Sequence, residues 1–158
     1  LGDVYKRQLF RRQAENVFDD GYEFDLGKAD LLRDGSDVTL IASGVCVANA
    51  LQAAETLAQE GVSARVLNIH TIKPIDADAV IKAASETGAL VTAENHNVIG
   101  GLGSAVAEVL AEQRPTPLER VGVKDHFGQV GKAPYLMGVF GITAADIAKA
   151  ARKAIARK

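Results

Sequence analysis

Residues 37–44 read Asp-Val-Thr-Leu-Ile-Ala-Ser-Gly (DVTLIASG). An apolar run without polar alternation that stops at a Ser-Gly pair is the pattern of a parallel strand buried on both faces. The period then changes. Val47, Leu51, Ala54 and Ala58 recur at helical spacing over 47–60, and Gly61 supplies a stop because it can take the left-handed conformation. The alternation repeats downstream. Ala64–Ile69 (ARVLNI) is a second strand, and Asp76, just after Pro74, caps a helix that runs through Ser85 and closes at Gly88. Ala89–Ala93 (ALVTA) is a third strand. A Gly-rich turn leads into a helix over 104–112, which Pro115 and Pro117 keep from continuing. Leu118–Val123 (LERVGV) is a further strand, followed by a long loop over 124–131 and a short helical stretch near 134–139. The last helix opens at Thr143 with Asp146 three residues on, a capping-box spacing, and carries Ile147, Ala150, Ala151, Ala154 and Ile155 on one face.

Upstream of this core lies Phe24–Arg33 (FDLGKADLLR), followed by Asp34-Gly35. Asp-Gly is a strong short-turn signal, so residues 29–33 are expected to pair as an antiparallel edge strand. Strands joined by helices imply right-handed crossovers and a three-layer α/β/α sandwich. No internal repeat or low-complexity tract interrupts the pattern.

The chain has 158 residues, a formal net charge of -2, 47% hydrophobic and 24% charged residues, which suits one globular domain with a real core. Charges are mixed along the chain, so no nucleic-acid tail is evident, and aromatic residues at 5% give no stacking platform for single strands. The basic run 149–158 sits at a helix end, where cations suit the helix dipole. The single cysteine, Cys46, cannot form an internal disulfide. No apolar run reaches membrane-spanning length and no signal-peptide pattern opens the chain, so the cytoplasm is the expected setting. The first residue is Leu1, and Leu1–Gln8 (LGDVYKRQ) resembles a translated sequencing adapter. These residues are read as a non-native leader on an N-terminally truncated chain, with a strand-like segment as the competing reading.

Most catalytic signatures are missing. There is no phosphate-binding Gly-Lys loop, and the stretch Gly100-Gly101-Leu102-Gly103 departs from the dinucleotide fingerprint because Val106 stands where a third small residue is needed. The loop from Gly100 to Ser104 has two readings: an anion site built on free helix-start amides, or a tight turn whose glycines allow close packing, the second being preferred. His70, His96 and His126 all fall just beyond strands, at the carboxyl edge where open α/β sheets bind ligands, but without metal-ligand spacing. Glu94 and His96 lie two apart, so a regular strand points them the same way, as a hydrogen-bonded or proton-handling pair. Cys46 reads as a small buried hydrophobe more than as an activated thiol.

Taken in order, Asp37–Gly44, Leu67–Asp76 (LNIHTIKPID), Val91–Ala107 (VTAENHNVIGGLGSAVA) and 121–143, with Phe127-Gly128 and Phe140-Gly141-Ile142-Thr143, resemble the C-terminal domain of transketolases. The match is strongest to the split-chain bacterial and archaeal forms and covers nearly everything from about Gln8 onward. The resemblance implies a five-stranded mixed sheet with its first strand antiparallel. It implies an enzyme of carbohydrate metabolism and the pentose phosphate pathway, which uses thiamine diphosphate and a divalent metal (Mg) to move a two-carbon ketol unit between sugar phosphates. That cofactor lies in a diphosphate-binding and a pyrimidine-binding domain, both missing here, so the resemblance places no cofactor or metal residue on this chain and makes the chain inactive alone. The implied partners are those domains and a second copy of the full enzyme as a homodimer, with no nucleic acid and no membrane. On this view residues 9–23 are a linker and 24–158 the domain. One substrate contact carries over: Arg12, followed by Gln13, matches the family Arg that grips the sugar phosphate. Related domains occur in 2-oxo-acid dehydrogenase beta subunits and in deoxyxylulose-phosphate synthase. The dehydrogenases tend to have Asp and Arg where Asn68 and His70 stand, so Asn68–Thr71 and Glu94–Asn97 favour transketolase. The third reading, of another class, is a free-standing anion-binding regulatory module built on Gly100–Ser104.

Overall fold

The computed structural model describes residues 17, 18 and 20–158. The elements are β1 (Asp30–Arg33), β2 (Val38–Ala42), α1 (Cys46–Gln59), β3 (Ala64–Asn68), α2 (Ala77–Thr87), β4 (Leu90–Asn97), α3 (Leu102–Gln113), β5 (Leu118–Val123), α4 (Ala133–Phe140) and α5 (Ala144–Ile155). They form one five-stranded sheet in the order β1-β3-β2-β4-β5. β1 runs antiparallel to β3, and all other pairs are parallel. The expected mixed α/β/α sandwich is the observed one.

The central strand shows why the run DVTLIA reads as doubly buried. Leu40 and Ile41 are both fully buried but face opposite layers. Leu40 joins Val38, Val66 and Val91 under α1 and α5, where Ala50, Ala53, Ala54, Ala151 and Ala154 let the helices lie close. Ile41 joins Leu67, Ile69 and Leu90 under α2 and α3, against Val80, Leu102, Val106 and Leu110. Truncating either β2 side chain to alanine would cost about 2–5 kcal/mol.

The punctuation residues act as their chemistry dictates. Asp76 accepts from the amide of Ala79 at the start of α2, and its other oxygen accepts from the amide of Ala29, tying the N-terminal arm to that helix. Gly88 closes α2 in the left-handed region at φ 65°. Thr143 and Asp146 form the reciprocal capping box of α5. β1 takes the expected edge place, but its partner is β3 and not the next strand in sequence. The Asp34-Gly35 corner therefore turns out of the sheet edge instead of closing a hairpin. A Cβ on Gly35 would overlap the backbone of Ala64 and Arg65, so only glycine fits that corner. Among the described residues, no helix is long and apolar enough to cross a membrane.

Candidate functional site

The described sequence-predicted residues lie along the carboxyl edge of the sheet, with Glu94, His96 and Gly100–Ser104 around the end of β4. β4 runs four residues further than the apolar stretch 89–93 suggests, through Glu94 to Asn97. Its pairing with β5 slips between Ala93 and Asn97. The slip breaks the two-residue alternation, and Glu94 and His96 part company. Glu94 turns inward and is 2% exposed, while His96 stays exposed with Nδ1 3.1 Å from the carbonyl oxygen of Asn97. The expected Glu94–His96 pair does not form.

The Glu94 carboxylate instead meets the start of α3. Its Oε2 accepts from the amide of Leu102 at 2.8 Å and its Oε1 from the amide of Gly103 at 2.9 Å. The N-cap residue of α3 is Gly101, which has no side chain to satisfy those orphan donors. A strand carboxylate eight residues upstream does it, and its negative charge also suits the positive end of the helix dipole. The glycines make room for it. A Cβ on Gly101 would overlap Glu94 Oε2 and lie 2.7 Å from the carbonyl of Asn97; one on Gly122 would come within 3.0 Å of Glu94 Cγ. Other donors of the loop are also engaged. The amide of Gly100 donates to Ser104 Oγ at 2.9 Å, Ser104 Oγ donates to the carbonyl of Val98, and the amide of Ser104 donates to the carbonyl of Gly101. The stretch from Gly100 to Ser104 thus meets the chain's own carboxylate at the amides of Leu102 and Gly103.

Cys46 sits fully buried at the start of α1. Burial, and then the nearby Glu94 charge, push its thiol up to about 11, the opposite of an activated nucleophile. His70 lies at the end of β3 beneath Phe24, the two rings 4.5 Å apart. Its Nδ1 is 2.8 Å from Thr71 Oγ1, and its buried Nε2 stands 3.9 Å from Asp30 Oδ2 without a hydrogen bond. That Asp30 oxygen accepts from Asn68 Nδ2 and from the Tyr22 hydroxyl. Sequence reading missed this cluster. Asp30 and Asn68 are opposite one another only because β1 pairs with β3, a long-range register that no local pattern announces. His126 is exposed in the loop after β5. Among the described residues no group of three or more His, Cys, Asp or Glu side chains could hold a metal ion. Arg12 and the leader at 1–8 lie outside the described residues.

Beside the β4 and β5 ends opens an apolar groove of about 540 Å³ between the sheet and α4, lined by Val45, Val123, Leu136, Met137 and Phe140 with Asn95 as a polar member. α4 is apolar along its whole length apart from the Tyr135 hydroxyl, yet none of its residues is buried.

These features can be set beside known proteins. The model of the family "Transketolase, C-terminal domain" matches residues 27–147. The 6-deoxy-6-sulfo-D-fructose transketolase subunit SqwH of Clostridium sp. (strain MSTE9) is 56% identical over 157 residues, covering 99% of this chain and 48% of the subunit. The putative transketolase C-terminal section of Methanocaldococcus jannaschii is 43% identical over 94% of this chain and 46% of its own length. A solved split gene transketolase, an inactive beta4 tetramer, superposes with a TM-score of 0.85 at 45% identity, over 90% of this chain and 46% of that one. The chain spans about half the length of the relatives it matches. A family match over most of the chain, a superposition on a solved split transketolase with a TM-score of 0.85, and identity above 40% agree: the chain belongs to the transketolase C-terminal domain family.

Proposed function

We propose that this chain serves as the C-terminal domain of a split-type transketolase, where it braces and assembles the cofactor-binding domains and transfers no ketol group by itself. The carrying observation is 56% identity over 99% of the chain to a transketolase subunit twice its matched length. On this reading residues 24–158 are the domain and 9–23 the linker from a pyrimidine-binding domain. The full enzyme is cytoplasmic and pairs two copies of the complete subunit set about a two-fold axis, in keeping with the prevalence of closed two-fold assemblies.

On this reading the family's thiamine diphosphate and Mg are held outside this chain's described residues. Helix-start amides are the usual diphosphate cradle, and those of α3 are taken by Glu94. No metal-ligand cluster exists among the described residues. We therefore assign the cofactor to the preceding domains. When bound there it supplies the carbanion chemistry of ketol transfer.

The substrates are sugars bearing a terminal oxyanion. Arg12 supplies the guanidinium fork, which matches the oxygens of a phosphate and equally of the sulfonate that the Clostridium relative's name indicates. The test is a chimera in which this chain replaces the matching part of that Clostridium subunit. Combined with the subunit's partner, thiamine diphosphate and Mg, it should retain ketol transfer within about tenfold, a barrier change of about 1.4 kcal/mol. A folded but inactive chimera would refute the reading. Arg12→Ala in the active chimera should raise KM for the anionic sugar more than it lowers kcat.

A further inference from the structure

Exposed apolar side chains are not spread evenly over this domain. Among the described residues nine large hydrophobic side chains are exposed, and eight of them lie in the connections at the carboxyl edge of the sheet. Phe24 and Leu26 precede β1, Ile72 follows β3, Ile99 follows β4, and Phe127 and Val130 follow β5; the other two are on α4. The connections at the amino edge carry none.

Ion pairs are arranged the opposite way. The five Lys/Arg–carboxylate ion pairs among the described residues all lie at the amino edge. Arg65, the second residue of β3, joins Asp34 and Glu86, Arg152 joins Glu60, and Lys153 and Arg157 join Glu119, the second residue of β5. One end of the sandwich thus carries the ion pairs, and the other carries the exposed apolar side chains, interspersed with exposed charges such as Lys73, Lys124 and Asp125.

Aromatic residues show the same bias. The buried core contains none, and of the six described, three sit in the arm at 17–29 and three in the connection at 124–141. Phe127 is 100% exposed and Val130 99%. Exposed aromatic and aliphatic side chains concentrated along one edge suit a surface that another protein surface covers.

The topology says what covers it. β1 begins at Asp30, opposite Asn68 at the end of β3, so the arm enters the sheet at this same edge. In a protein of the relatives' length, roughly twice this chain, the polypeptide ahead of the arm is delivered to the apolar edge. Covalent connection gives it an effective concentration that a second copy lacks. We propose that the carboxyl edge, from the arm to α4, is the docking face for the domain that precedes this one in its longer relatives. This rests on the assembly reading above.

Hydroxyl-radical footprinting compares the chain alone with the Clostridium chimera in the absence of its partner subunit. Oxidation of Phe127, Tyr135 and Met137 should fall at least about fivefold in the chimera, as expected for an interface core that excludes water. Amino-edge Pro115 and Leu118 should not change. The pair Phe127→Ser and Val130→Ser should leave the Tm of the chain alone within about 1 °C, as for surface substitutions, and lower that of the chimera by several degrees. Unchanged oxidation in a chimera that is active once its partner is added would overturn the docking face while leaving the proposed function standing. Concentration-dependent protection of these residues in the chain alone, with a dimer on sedimentation, would assign the face to a second copy and overturn the proposal. Protection in a chimera that lacks activity would uphold the face and refute only the function.

Discussion

Replacing Glu94 with glutamine isolates the buried contact on which the β4–α3 junction depends. The wild-type carboxylate accepts two backbone hydrogen bonds at 2.8 and 2.9 Å while 2% exposed. Glutamine has one acceptor oxygen, so one amide loses its partner and faces the side-chain NH2, donor against donor. A charge-assisted hydrogen bond is worth about 1.5–3 kcal/mol. The helix start also loses its charge, worth up to about 2 kcal/mol where partly buried. The neutral amide is cheaper to bury, which offsets part of the loss. The net expectation is a destabilisation of about 2–4 kcal/mol, which for a chain of this length lowers Tm by roughly 5–15 °C. Thermal unfolding followed by circular dichroism reads the shift, and hydrogen exchange at the amides of Leu102 and Gly103 should accelerate in parallel. A variant that melts within about 2 °C of wild type, with exchange at those amides unchanged, would refute the assignment of Glu94 as the cap of α3.

Three further expectations follow from the same region. Gly101→Ala forces a methyl group onto Glu94 Oε2 and the Asn97 carbonyl, and should destabilise by about 1–3 kcal/mol as overpacking does, measured by urea unfolding. Thr92→Val should stabilise by about 1 kcal/mol, because Thr92 Oγ1 is buried without a hydrogen-bond partner; a lowered urea midpoint would argue for an unseen partner. Cys46, with its thiol raised from 9.0 to about 11, holds about a hundredfold less thiolate at pH 8 than an unperturbed thiol. Alkylation by iodoacetamide should therefore be negligible in the folded chain and appear only with denaturant, whereas rapid labelling of native protein would contradict the burial.

The residues themselves dictated the alternating strands and helices, because each signal is local. DVTLIA is apolar at every position, and both faces of a strand must then be covered. Asp76, Gly88 and the Thr143–Asp146 pair mark helix ends through hydrogen bonds or backbone freedom that span only a few residues. The family resemblance was legible for a related reason, since its motifs fall on strand ends and turns where few residue types fit. Tertiary structure alone decided the pairings that cross the chain. β1 reaches past β2 to β3, which sets Asp30 beside Asn68 and His70. The slip in β4 sends Glu94 inward to α3 and leaves His96 in solvent, where a regular two-residue period would have kept them together. A bulge depends on what lies across the ladder and beneath it, here Gly101 and Gly122 yielding space to the carboxylate. The apolar carboxyl edge is likewise a sum over four separate connections. Each of its side chains is an ordinary apolar residue in sequence, and only the sheet brings them onto one face.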